Sequence, residues 1–200
     1  MQPHPNTLFT PAEAAALTSL PVKAVNNAID RKTIPLPRAR RGGAGGRLLD
    51  VNALMSLTLE RRLADRLAPA LRRQVFAAMA SAPRGPLLLD GGLLTIDLRP
   101  PRRELAALLR RLRRARAAVD SDPDVMGGVP VFRGTRIPVH LIATLSEQGS
   151  SETELLEAYP RLTAEWVRLA PVYARAYPLR GRPRAPARGA DCHAASVAAG

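Results

Sequence analysis

The stretch GGVPVFRGTRIPV, residues 127–139, restricts the fold more than any other part of the chain. Gly127 and Gly128 admit backbone angles closed to other residues. Residues 129–132 and 136–139 are short β-prone runs, and Arg133, Gly134 and Thr135 bend between them. Pro138 cannot extend a strand ladder but suits the first turn of a helix, so a helix is predicted from residue 139 to near residue 149. Ser151 and Glu154 form a capping box that opens a second helix, which Tyr159 and Pro160 end. Thr163 caps a third helix carrying Trp166, Val167 and Tyr173. Pro171 falls inside that helix; an interior proline removes a backbone bond at a cost of about 3 kcal/mol, so a kink or a restart is expected there. The segment reads as a small β-hairpin with three short helices.

The N-terminal part has a different grammar. Thr10 is placed to cap a helix, with Pro11 at its first position and Glu13 in its first turn. Pro21 opens a second helix whose Val22, Val25 and Ile29 share one face, leaving Lys23, Asn26, Asn27 and Asp30 on the others. The run TIPLPRARRGGAGGRLLD cannot continue that helix, because Pro35, Pro37 and four glycines interrupt it. It reads as a two-stranded wing with a glycine-rich tip edged by Arg38, Arg40, Arg41 and Arg47, after which Asp50 caps a further helix.

Between these parts, Leu59, Leu63, Leu67, Leu71, Val75 and Met79 recur every fourth residue, with Pro69 expected to split the run at Ala68. The run PLLLDGGLLTIDL predicts two strands around Asp90, Gly91 and Gly92. Leu105, Leu108, Leu109 and Leu112 then mark one apolar stripe on an arginine-rich helix. The stripe and the hairpin edge suit either dimerisation or packing within one chain.

Charge separates the parts further. The chain carries 30 basic and 17 acidic residues, a net charge of +13, and a polyanionic partner is one reading of that excess. The competing reading is compositional, since all basic residues except Lys23 and Lys32 are arginines in an alanine-rich chain. The distribution is more informative: residues 1–50 carry 7 basic and 3 acidic groups, and residues 51–118 carry 14 and 5. Residues 119–178 reverse the sign with 5 and 8, so the glycine–proline motif sits in the acidic segment, ill suited to gripping phosphate. A single cysteine, Cys192, excludes an internal disulfide and a cysteine-rich zinc site. No secretory signal or spanning apolar run is visible, so a cytoplasmic protein with no membrane association is expected.

Residues 7–58 resemble the small winged helix-turn-helix domains of the MerR and excisionase type, on Thr10, Glu13, Ala14, Ala15, the short second helix and the basic wing. The resemblance implies that the second helix enters the major groove of operator DNA. Lys23, Asn26, Asn27 and Arg31 would face the groove, and Arg38, Arg40, Arg41 and Arg47 the phosphates. Residues 119–178, from DPDVMGGVPVFRGTRIPV through ELLEAYPRLT to YARAY, closely resemble the antitoxin module once catalogued as domain of unknown function 433. That resemblance implies a VapB-type antitoxin of a type II toxin–antitoxin pair, which silences a PIN-like ribonuclease toxin and represses their shared operon.

Catalysis is not expected. No P-loop lysine follows the glycine turn, and His4, His140 and His193 share no metal-like spacing. Asp120, Asp122 and Asp124 read as a solvated turn before the hairpin, and no nucleophile–base set, metal site or cofactor is indicated. A PIN-like active site, by that resemblance, is a cluster of metal-binding carboxylates, which an arginine fork would pair with and occlude. Arg180, Arg182 and Arg184 of an aperiodic tail are candidates, with Arg133 and Arg136 of the hairpin as alternatives; a featureless solubilising tail is the competing view. The expected protein is mostly α with small β-hairpins. It comprises a winged helix-turn-helix (1–58), a helical and hairpin connector with a possible dimerisation role (59–118), an antitoxin module (119–178) and a mobile arginine-rich tail (179–200). A homodimer or a toxin–antitoxin hetero-oligomer is expected. The rival reading is a stand-alone MerR-like regulator whose C-terminal module senses a ligand or dimerises.

Overall fold

A computed structural model describes residues 8–31, 33–34, 47–80 and 85–179. The architecture is mostly helical, with two antiparallel two-stranded sheets among the described residues. Helix α1 (Pro11–Thr18) opens with the reciprocal cap read from sequence: the Glu13 amide donates to Thr10 Oγ1 at 3.3 Å and the Thr10 amide to Glu13 Oε2 at 2.8 Å. Ser19, left-handed at φ 55°, turns the chain into α2 (Val22–Asp30). Phe9 and Leu49 exchange two backbone hydrogen bonds of 2.8 Å; the wing expected at residues 33–50 falls mostly on residues outside the described ones. Asp50 Oδ1 accepts from the Ala53 amide at 2.7 Å to start α3 (Val51–Leu63).

Helix α3 is buried on nearly all sides from Ala53 to Leu59 and forms the centre of the N-terminal core. Its two buried hydroxyls are satisfied within the helix, Ser56 to the Asn52 carbonyl and Thr58 to the Leu54 carbonyl. The leucine run breaks earlier than its spacing predicts. The helix stops at Leu63, the Arg66 and Leu67 amides close a turn on the Leu63 carbonyl, and α4 (Pro69–Ala80) begins at the proline itself. Pro69 disfavours helical backbone at Ala68, and the chain uses the intervening residues to reverse.

Strands β1 (Leu87–Leu89) and β2 (Leu94–Ile96) pair around Asp90, Gly91 and Gly92, all with positive φ. Helix α5 (Arg99–Ala117) then lays Leu105, Leu109 and Leu112 into the N-terminal core and contacts α3, α1 and α8. Among the described residues no helix is long and apolar enough to cross a membrane.

The hairpin at 127–139 differs from its expected pairing. Strand β4 (Val131–Phe132) makes its ladder with β3 (Val119–Asp120), the continuation of α5. Residues 136–139 contribute one bridge, Val131 to Pro138, and two backbone bonds of 3.0 Å: Phe132 to Ile137 and Val139 to Pro130. Pro130 and Pro138 lack amide protons, so that side cannot extend into a ladder. Helices α6 (Val139–Glu147), α7 (Glu152–Ala158) and α8 (Ala164–Ala176) follow as predicted, with the Ser151–Glu154 box and the Thr163 cap in place. Pro171 neither stops nor restarts α8, which runs through it.

Two apolar cores result, and α8 serves both. Phe132, Val139, Ile142, Ala143, Leu155, Leu162, Val167 and Ala170 make the C-terminal one. Ala176 is buried in the N-terminal core, with Val172 and Tyr177 packed against it. Accordingly α8 contacts α6 on one side and α5 and α1 on the other.

Candidate functional site

Three surfaces carry the chemistry. The first is α2. Val25 and Ile29 anchor it, leaving Lys23, Asn27 and Arg31 exposed and Asn26 half-buried. Val22, expected on the inward face, is 43% exposed, because the apolar contact begins one turn later. Arg47 reaches across to Asp30 at 2.9 Å, both side chains about half exposed. Its charge is therefore shared with the end of α2 instead of standing free for phosphate. Arg38, Arg40 and Arg41 lie outside the described residues.

The second surface is a buried junction that sequence reading missed. Glu13 is only 2% exposed, and its Oε1 accepts from both the Arg116 guanidinium and the Tyr177 hydroxyl while Oε2 caps α1. Arg116 also donates to the Tyr177 hydroxyl, with its guanidinium 5.4 Å from that ring's centre. Burial opposes the Arg116 charge, but Tyr177 and Glu13 outweigh it and hold the guanidinium above its ordinary value. Burial and the Glu13 carboxylate push the Tyr177 hydroxyl far up, against the pull of Arg116. His140 Nε2 lies 2.8 Å from the Tyr177 carbonyl, and Tyr173 packs between, 4.7 Å from the Tyr177 ring and 6.0 Å from His140. Residues from α1, α5 and the end of α8 thus meet at one charge. Glu13 reads locally as a capping acid, and nothing in its neighbourhood signals partners 103 and 164 positions away.

The third surface is the 127–139 motif. Gly134 takes φ 68° at the bend, and Gly127 and Gly128 take 66° and 81°, so all three use left-handed backbone. Phe132 stacks on Trp166 with ring centres 5.4 Å apart. Arg133 forks onto Asp120 at 3.1–3.3 Å, so that hairpin arginine is already engaged. Arg136 is exposed and makes no ion pair among the described residues. It faces an open groove of about 700 Å³ together with Asp120, Asp122, Thr135 and Arg161, whose Nη2 donates to the Gly134 carbonyl at 3.0 Å. Among the described residues no three His, Cys, Asp or Glu side chains converge as a metal site. Arg180, Arg182 and Arg184 lie outside the described residues.

Comparison with known proteins adds three findings. Residues 119–174 match the family described as "Protein of unknown function (DUF433)". A relative, uncharacterized protein y4eO of Sinorhizobium fredii (strain NBRC 101917 / NGR234), is 39% identical over 183 residues, covering 86% of this chain and 83% of its own length. The X-ray crystal structure of Rv2018 from Mycobacterium tuberculosis aligns with 81% of this chain and 95% of that one at 16% identity. Its TM-score of 0.29 is too loose a superposition to transfer a fold.

Proposed function

The chain belongs to the family of protein y4eO, with its DUF433 domain at residues 119–174, and from that premise we propose that it is a VapB-type antitoxin. It binds and silences a PIN-like ribonuclease toxin and represses their shared operon through its N-terminal helices. It acts by binding, not by catalysis. The observation that carries the reading is the union of two surfaces in one body. Helix α2 presents Lys23, Asn27 and Arg31, while α1 is held through Glu13 by Arg116 of α5 and by Tyr177, three residues past the DUF433 match. In this arrangement α2 enters the major groove, and Asn27, the more exposed asparagine, reads base edges. Arg136 and the tail arginines Arg180, Arg182 and Arg184 engage the acidic active site of the toxin, and Arg133 holds the hairpin through Asp120.

The test uses the full chain. RNA cleavage by the purified product of the neighbouring gene is measured with and without an excess of this protein, and binding to the promoter duplex is followed by gel shift. Inhibition together with promoter binding is expected. Promoter binding without any inhibition would favour the second reading, a MerR-like regulator. The groove beside Arg136 and Arg161 supports that reading as a ligand pocket.

A further inference from the structure

Helix α5 carries eight arginines and one acidic residue, Glu104, and its arginines are not equivalent. Those on one side are engaged with neighbouring helices. Arg111 donates to the Arg168 carbonyl at 2.9 Å, Arg114 pairs with Glu165, and Glu104 is held by Arg61 and Arg62 of α3. Arg116 enters the core junction with Glu13, and Arg99 pairs with Asp97 at 3.0 Å.

Arg103, Arg110 and Arg113 are different. All three are exposed and none makes a hydrogen bond or ion pair among the described residues; Arg103 acts on Asp97 only through space. At 100° per residue they fall within an arc of about 80°, bounded on one edge by the buried Leu105–Leu109–Leu112 stripe and on the other by Arg114, which turns to α8. At 1.5 Å per residue they span about 15 Å of helix axis. Exposed alanines, Ala107 and Ala117, flank them, so no carboxylate on the helix neutralises this face. A duplex places a negative charge about every 1.7 Å along its axis, so several phosphates fall within the reach of such a strip.

We propose that Arg103, Arg110 and Arg113 form a second DNA-contacting surface that grips duplex phosphates without reading sequence, separate from the α2 face. The inference rests on the DNA-binding part of the reading above and assigns affinity to the connector helix, which that reading leaves idle. Phosphate contacts fix register and strength while base contacts carry the sequence information. The α5 strip therefore governs salt dependence, and α2 governs discrimination.

The experiment measures affinity of the full chain for the promoter duplex and for a scrambled duplex across a salt series, alone and with R103Q/R110Q/R113Q. Glutamine keeps a good helix former at exposed positions, and a thermal melt checks the fold. The expected result is a log–log salt slope shallower by about 2–3 on both duplexes, with the promoter-to-scrambled ratio kept. Lysine at the same three positions should restore the slope. Promoter preference with an unchanged slope in the glutamine variant overturns this proposal and leaves the operator reading standing. Loss of slope without promoter preference in the wild type supports the α5 surface and removes the operator. Binding to phosphatidylserine vesicles but to neither duplex, abolished by the same substitutions, would reassign the strip to a lipid surface and overturn it.

Discussion

At the bend between two short apolar runs, Gly134 takes φ 68°, a backbone conformation open chiefly to glycine. Its Cβ position is open, with nothing within 4 Å, so the glycine is required by backbone angle and not by space. Gly134→Val is therefore expected to cost about 1–3 kcal/mol through strain alone. Gly134→Asn should cost less, since asparagine tolerates the left-handed region. Thermal melts of the two variants check the difference; equal melting points would remove the strain argument. Arg133→Ala should cost less than about 1 kcal/mol, because its pair with Asp120 is well exposed. Glu13 was only half legible. Its capping oxygen follows from the Thr10 spacing, but the other oxygen is committed to contacts that only the folded chain creates. The hydroxyls of Tyr173 and Tyr177 follow from the same packing. Burial raises both above the ordinary tyrosine value, with Glu13 adding to the shift at Tyr177. A raised acid favours the protonated folded state, so this stability is present below about pH 10 and is lost as pH rises through the folded values. Alkaline unfolding followed by phenolate absorbance should move to higher pH in Tyr177→Phe, and an unchanged midpoint would show that Tyr177 does not drive it.

At the scale of elements, local chemistry located the helices well and their partners poorly. Caps at Thr10, Asp50, Ser151 and Thr163 appear where the sequence put them, since a cap is decided within four residues. Pairing is decided elsewhere. Strand β4 takes Val119 and Asp120 as its ladder because prolines disable its other neighbour, a choice that requires knowing where α5 ends. Pro171 likewise stays helical because α8 is packed along both faces, and tertiary contact outweighs one missing bond. For α2 the consequence is a ranking among the candidate readers. Asn27→Ala should lower promoter affinity by about 1–3 kcal/mol at fixed salt, and Asn26→Ala by less, given its partial burial. Equal losses on scrambled DNA would demote Asn27 to a phosphate contact. Asp30→Asn frees Arg47 and should strengthen binding to any duplex, an effect that fades with salt. No gain at low salt would mean that Arg47 does not face the phosphates.

For the whole molecule, charge and packing point in opposite directions. Under the proposed function, the sign change between residues 1–118 and 119–178 would divide DNA binding from toxin binding along the chain, with residues 119–200 acting alone. Packing argues against an independent fragment. Cutting at residue 119 would uncover Val172, Ala176 and Tyr177 and leave Arg116 and Glu13 behind. The charge map is legible in a sequence because charge is additive, whereas a helix shared by two cores is visible only after folding. The single tryptophan makes the matter measurable, since Trp166 is stacked on Phe132 in the C-terminal core, away from the Glu13 junction. Glu13→Ala removes the reciprocal half of the capping box, the Glu13 Oε2 acceptor of the Thr10 amide, and leaves the Arg116 and Tyr177 donors without their acceptor, which should cost about 2–4 kcal/mol. If α8 joins the two cores into one cooperative unit, denaturant unfolding by Trp166 fluorescence should shift as far as unfolding by circular dichroism, although the substitution lies in α1. A fluorescence midpoint that stays at its wild-type value while the dichroism midpoint falls would mean that the module folds independently. The fragment of residues 119–200 would then become the right reagent for testing toxin binding.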